Sequence, residues 1–201
     1  VIVDIRTANT FVAGQWNYVK VTLGYWCSVQ LNTGLPAFGI VDSGNVEPDR
    51  PNNGLNIGYE QNATSESQFE GYIGSVRITN NYREHAPPYA FPNRLFPTEI
   101  GDELYLDLVR SHITGNGVDG VTTVQDEVSG VNWTGLNAQY DDSDSPPVDG
   151  IDSCLSITNG YIATTDIPDI VVGNFESGFL QISMWVKLPT ASANHSLFFI
   201  V

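Results

Sequence analysis

The chain reads as an all-β protein, a two-sheet antiparallel jelly-roll sandwich. Three observations predict this: apolar residues recur at every second position in many short runs, turn-forming residues separate those runs, and no amphipathic stretch of helical period exceeds about two turns. With 201 residues, of which 41% are apolar, there is enough material for one large sandwich or for parts of two.

The first alternating run places Val19, Val21 and Leu23 against Tyr18, Lys20 and Thr22. A second places Cys27, Val29 and Leu31 against Ser28, Gln30 and Asn32. Leu104, Leu106 and Leu108 alternate with Tyr105 and Asp107, and Leu180, Ile182, Met184 and Val186 with Gln181, Ser183, Trp185 and Lys187. Period two over such lengths predicts half-buried antiparallel strands, with the polar set facing outwards. Between the runs stand Asn32-Thr33-Gly34, Asp42-Ser43-Gly44, Pro51-Asn52-Asn53-Gly54 and Asn159-Gly160, each with a residue that tolerates positive φ and so predicts a turn. This spacing implies about eleven or twelve strands, more than a small immunoglobulin-like domain holds.

Charge narrows the function classes. There are 23 acidic and 8 basic residues, a net charge of −15. Such a surface repels nucleic acid and anionic membranes. The only lysines are Lys20 and Lys187, so no basic stripe can follow a phosphate backbone. No apolar run reaches the length of a membrane span, and no signal peptide is recognisable. Cys27 and Cys154 have neither metal-ligand nor redox-pair spacing. They read as two buried thiols, with a disulfide as the alternative. The strand-like runs Val1–Ile5 and Leu197–Val201 lie at the chain ends, which predicts a segment of a longer polypeptide.

Residues 85–97 contain Pro87, Pro88, Pro92 and Pro97. Proline removes ladder donors and stiffens the chain, so this segment reads as a connector between residues 1–84 and residues 98–201.

The residues on either side resemble the concanavalin A-like, laminin-G-like jelly-roll superfamily, which is lectin-like. Gln15-Trp16-Asn17-Tyr18-Val19-Lys20-Val21-Thr22 is similar to its tryptophan strand, and Val29-Gln30-Leu31-Asn32-Thr33-Gly34 to the hairpin strand that follows. Leu55-Asn56-Ile57-Gly58 resembles its short leucine–isoleucine–glycine strand, and the segment from Phe69 to Thr79 resembles its closing strand. These belong to the later half of such a domain. In the second part, Asp126-Glu127-Val128-Ser129-Gly130, Cys154-Leu155-Ser156-Ile157 and the segment from Phe179 to Lys187 resemble its opening half. The closing half therefore precedes the opening half. Either the segment straddles two tandem sandwiches, or the two halves complete one sandwich by permutation or by exchange between subunits. A half-sandwich alone would expose its core and its strand edges.

Residues 74–84, with the Val76-Arg77-Ile78-Thr79 strand, an arginine-containing turn and a proline-rich exit, resemble jelly-roll modules of tailed-phage virion proteins. The resemblance implies a non-enzymatic structural or adhesion segment at a virion surface: a tail fibre, a tail appendage or a capsid decoration. Its expected partners are other virion structural proteins, copies of itself as a homo-oligomer, and host-surface glycans. A secreted or cell-surface carbohydrate-binding adhesion domain, extracellular rather than virion-borne, is the alternative, followed by a glycan-active enzyme of the same fold.

The sequence offers no recognisable catalytic residues and implies no required cofactor. Asp102 and Glu103, beside Glu99, are adjacent, so an extended strand points them to opposite faces, whereas a glycosidase needs two carboxylates in one cleft. His85, His112 and His195 are isolated and read as loop or surface residues. The acidic run containing Asp141, Asp142, Asp144, Asp149 and Asp152 is the candidate metal site, with calcium the expected ion and Asp141, Asp142, Asp144 and Asp149 the expected ligands. The competing reading is a disordered acidic loop. Trp16 and Trp185 lie on strands, Trp185 opposite the main apolar face, while Trp26, Trp133 and Tyr140 lie near turns and form the candidate ligand platform, since aromatic rings offer flat apolar surfaces to sugars. Asn62, Asn132 and Asn194 head Asn-x-Ser/Thr sequons that act only in a eukaryotic secretory setting.

Overall fold

A computed structural model describes residues 10–23, 26–40, 55–58, 69–79, 109–115, 117–128, 130–148, 150–164, 180–189 and 199–200. Among these there are eleven strands and no helix: β1 (Trp16–Leu23), β2 (Trp26–Leu31), β3 (Ala37–Ile40), β4 (Leu55–Ile57), β5 (Phe69–Thr79), β6 (Val109–Thr114), β7 (Thr123–Gln125), β8 (Asn132–Asp141), β9 (Cys154–Thr164), β10 (Leu180–Lys187) and β11 (Phe199–Ile200). All pairings are antiparallel, and the main path runs β11-β4-β9-β5-β10-β1-β2-β3. The chain is all-β, as the alternation predicts.

Strands of the two sequence halves interleave along that path. β10 lies between β1 and β5, with Lys20 opposite Ser183 and Ser183 opposite Arg77. β9 pairs with β5 and with β4. One apolar core spans both halves: Val19, Leu31, Phe69, Ile73, Val76 and Ile78 pack in the same cluster as Trp133, Leu155, Ile157, Ile182, Met184 and Val186.

β5 organises the sheet because it divides one of its edges. Residues from Tyr72 to Thr79 pair with β10. On the other edge, Phe69–Ile73 pair with β9 and Ser75–Thr79 pair with β6. The changeover falls at Gly74. From there β9 leads to β8 and β8 to β7, and a bridge between Ile113 and Asp126 links β6 to the end of β7. The ladder β5-β9-β8-β7-β6 thus closes on itself, its core filled by Ile113, Val124, Trp133, Ala138, Tyr140 and Ile162.

Three chain segments meet closely at the changeover. The Gly115 N–H donates to the Gly74 carbonyl (2.7 Å), and the Ser153 hydroxyl donates to the Gly115 carbonyl (2.6 Å). A Cβ on Gly115 would stand 2.5 Å from the Ser153 carbonyl oxygen, 2.7 Å from Cys154 Cα and 2.8 Å from the Gly74 oxygen. A Cβ on Gly74 would meet the Pro146 ring at 2.5 to 2.9 Å. Neither the backbone around Gly115 nor the closed ring of Pro146 can rotate away as an open side chain can, so both positions require glycine.

Two expectations need correction. The alternating strands β1, β2 and β10 are not half-buried. Lys20, Thr22, Ser28, Gln30, Gln181 and Ser183 are all buried, as are Val21 and Ile182 between them, because this second face is covered too. Asn159-Gly160 is not a turn between strands. It lies within β9, where three residues oppose the single Asn137 of β8 between the pairs Leu136–Tyr161 and Ala138–Ile157. Both asparagines take positive φ (Asn137 50°, Asn159 47°), and the Asn137 side-chain amide donates to the Asn159 carbonyl (3.3 Å). Pairing on both sides of the bulge outweighs the local turn preference.

Asn32-Thr33-Gly34 does turn as expected, with Asn32 at φ 54° and the Gly34 N–H donating to the Leu31 carbonyl (3.1 Å). The runs at Val1–Ile5 and Leu104–Leu108, the turns at Asp42–Gly44 and Pro51–Gly54, and the proline-rich connector lie outside the described residues.

Gly115→Ala is expected to destabilise the fold by about 2–3 kcal/mol, the cost of forcing a methyl group against packed backbone. Urea unfolding followed by tryptophan fluorescence measures this. The exposed Gly130, at φ 70° with no atom near its Cβ position, is the control glycine: alanine there meets backbone strain but no clash.

Candidate functional site

The connection between β8 and β9 carries most of the acidic run and is tied down at several points. The Asp141 carboxylate accepts from the Ser143 N–H (2.8 Å) and the Ser143 hydroxyl (2.5 Å), which starts the turn. The Asp144 carboxylate accepts from Trp16 Nε1 (3.1 Å), the Ser145 N–H (2.9 Å) and Lys187 Nζ. Val148 and Ile151 then pack against Tyr18 and Trp185, with Trp16 alongside, and the Tyr18 and Trp185 rings lie 5.4 Å apart. Pro146 sits on Gly74 and Ser153 on Gly115. The connection is therefore a packed strap across one face of β1 and β10, which corrects the reading of a disordered acidic loop. Its buried Pro146, Val148 and Ile151 anchor it.

This strap separates the predicted metal ligands. Asp141 and Asp142 remain together at its start, and Asp119 joins them. The three residues can each place one carboxylate oxygen within 4.8 Å of the others. Two bonds bring Asp119 there: the Gly120 N–H donates to the Tyr140 carbonyl, and the Tyr140 N–H donates to the Val121 carbonyl, both at 3.0 Å. Asp144 is not part of the group; its carboxylate is held by Lys187 and Trp16. Asp149 lies outside the described residues, and Asp152 is exposed elsewhere on the strap. Sequence reasoning missed Asp119 because it is an isolated acid two strands upstream; no local spacing signals it. Three carboxylates at an exposed rim suit a hard divalent cation, with backbone carbonyls or water completing the six to eight oxygens that calcium takes.

The expected aromatic platform is corrected. Trp133 is wholly buried, and its Nε1 donates to Asp126 (3.4 Å) inside the core. Tyr140 is buried in the same cluster. Burial pushes its hydroxyl above the usual tyrosine pKa, against a hydrogen bond to the Gln125 backbone, while the charge of Glu127 adds to the rise. Neither ring can present a face to a sugar. Both sit on strand positions that point inwards, and an aromatic residue near a turn carries no local mark of which way it points. Trp26 is the first residue of β2, opposite Ile40; its side chain lies outside the described residues.

The second face of the central strands holds a polar layer that the alternation alone did not place indoors. Gln30, Lys20, Ser183 and Arg77 stand in one lateral row across β2, β1, β10 and β5. Ser28, Thr22 and Gln181 form the next row, and Tyr18, Trp185 and Ser75 flank the first on its other side. Burial raises the Tyr18 pKa; a hydrogen bond to Ser183 and the charge of Arg77 oppose that rise. Burying two of the chain's eight basic side chains in one row is costly unless neighbouring dipoles and charges compensate.

Cys27 and Cys154 are both buried thiols. Burial, followed by the charges of Asp141 and Asp144, pushes Cys154 up to about 12, so it is a neutral thiol at physiological pH. Its Sγ–H points at the Asp141 carbonyl (3.5 Å). His112 lies on β6 opposite Arg77. Glu99, Asp102, Glu103, His85 and His195 lie outside the described residues.

No protein-family model, curated protein or solved structure matches this chain.

The strap should be acid-sensitive in one direction. Burial pushes the Asp144 carboxyl up, but hydrogen bonds from Lys187 and Trp16, the Lys187 charge and the Ser145 N–H outweigh it and hold the pKa below the ordinary 3.8. The folded pKa is depressed, so the stabilisation is complete above the unfolded pKa and is lost as pH falls through the folded one. Asp144→Asn is therefore expected to lower stability at pH 7 and to remove part of its decline below about pH 4. Unfolding midpoints of both proteins across pH 2 to 7 measure this; parallel curves would contradict it.

Proposed function

We propose that this chain is a non-enzymatic structural or adhesion segment of a phage virion surface protein, built as one lectin-like two-sheet jelly-roll in which the closing and opening halves complete a single sandwich. One observation carries the reading. All but one of the segments that resemble the concanavalin A-like, laminin-G-like superfamily lie in strands of the main sheet path, β4, β9, β5, β10, β1 and β2; the Asp126–Gly130 segment stands off it, between β7 and β8. The Val76-Arg77-Ile78-Thr79 segment lies in β5, where β6 and β10 both pair with it. A core shared by both halves supports the one-sandwich arrangement over two tandem ones.

The mechanism is passive. A rigid β scaffold holds its rim and loops in place, and repeated copies on a particle turn weak contacts into firm attachment. The contacted surface is either a host glycan or a neighbouring capsid or tail protein. The rim formed by Asp119, Asp141 and Asp142 is the place where a calcium ion would stiffen one end of the scaffold.

A secreted adhesion domain is the second reading. It is favoured by the Asn132-Trp133-Thr134 sequon, whose Asn132 and Thr134 are both exposed at the start of β8.

Multivalent display of the protein on beads, followed by a glycan array and a host-cell pull-down, tests the main reading. Expected are retention on host surfaces or on sister virion proteins, and no release of sugar fragments. Hydrolysis of a polysaccharide with enzymatic turnover would overturn it. Separately, millimolar calcium is expected to raise the melting temperature by about 3 °C, and Asp119→Asn with Asp142→Asn to abolish that gain. An unchanged melting curve would remove calcium from the proposal.

A further inference from the structure

Among the described residues, the hairpin formed by β2 and β3 ends the main path of the sheet. It carries two strongly exposed apolar side chains, Leu35 at 73% and Phe38 at 61%. Leu35 stands in the connection and Phe38 on β3, opposite Ser28. An edge hairpin of a soluble β protein ordinarily carries charge, commonly lysine, to discourage other strands. This one carries none. No charged residue occurs between Lys20 and Asp42, the longest charge-free run in a chain whose net charge is −15.

That distribution selects the occupant. Two copies of so acidic a chain repel each other over most of their surfaces. A two-fold contact sets the same patch against itself, so the patch must be electrostatically compatible with itself. A charge-free, apolar hairpin at the end of the sheet meets that condition, and an acidic rim does not. We propose that the β2–β3 hairpin is a self-association surface on which a second copy of this chain docks, Leu35 and Phe38 of each copy packing against the other.

The hairpin is small. A stable interface usually buries about 800 Å² per partner, drawn from 20–30 residues, and Leu31–Ile40 supplies fewer. The dimer is therefore weak in solution and effective where many copies are held close together. Because repulsion opposes it and apolar contact drives it, salt strengthens it, the opposite of an ion-paired interface. The dimer does not depend on glycan binding.

Sedimentation velocity over a concentration series, at about 0.05 M and about 0.5 M NaCl, tests this. Wild-type protein is expected to dimerise at micromolar to submillimolar concentration, at least about threefold more tightly at the higher salt. Leu35→Lys with Phe38→Lys, both at exposed positions, is expected to weaken association at least about tenfold while leaving the circular dichroism spectrum and melting temperature near those of wild type. Leu35→Ser with Phe38→Thr, which adds no charge, is expected to weaken it as well and separates lost apolar contact from added charge. Wild-type protein that stays monomeric to about 0.5 mM overturns the proposal and leaves the hairpin to a partner of different composition. Either double variant associating as tightly as wild type overturns it and moves the interface elsewhere.

Discussion

The structure depends on a backbone junction without side chains. At Gly74 the edge of β5 passes from β9 to β6; the Gly115 N–H donates to the Gly74 carbonyl there, and the Ser153 hydroxyl in turn donates to the Gly115 carbonyl. Because neither glycine presents a Cβ, three chain segments approach more closely than side chains would permit. The divided edge lets β9, β8, β7 and β6 curl into a closed ladder around Trp133. It also places Pro146 against Gly74, which directs the β8–β9 strap back over β1 and β10. Core, closure and strap are thus linked through one crossing.

The two faces of β10 show how unlike their burdens are. Ile182, Met184 and Val186 enter the apolar core, where burial is favourable in itself. Gln181, Ser183 and Trp185 enter a layer with Lys20, Thr22, Gln30 and Arg77. Polar groups there gain only as far as their hydrogen bonds replace those to water. Such a layer adds less to stability than an apolar one but constrains register strongly, since a slip of one residue would exchange the two faces.

At the rim, acidic residues have separate tasks. Asp144 is a structural carboxylate, committed to Lys187 and Trp16, and it fastens the strap. Asp119, Asp141 and Asp142 form a small region of concentrated negative charge. The strong acidity of the chain therefore does not act uniformly: one acid is neutralised to hold the fold, a few converge at one end, and the β2–β3 hairpin carries no charge at all.

Period-two alternation and turn residues determined, from the sequence alone, that the chain is all-β, and they located β1, β2 and β10 closely, because side-chain direction along a strand is a local property of the backbone. The Asn32 turn was legible for the same reason. The tertiary structure decided what lies over each face, and no local signal carries that information. It buried Lys20 and Gln181, turned Trp133 and Tyr140 inwards, and absorbed Asn159-Gly160 into a bulge. It also exchanged Asp144 for Asp119 in the acidic group. Residues far apart in sequence meet only when strands pair over long range, and pairing energies are summed over whole ladders rather than read from single residues. The interleaving of the two halves in one core is therefore a property of the assembled sheet.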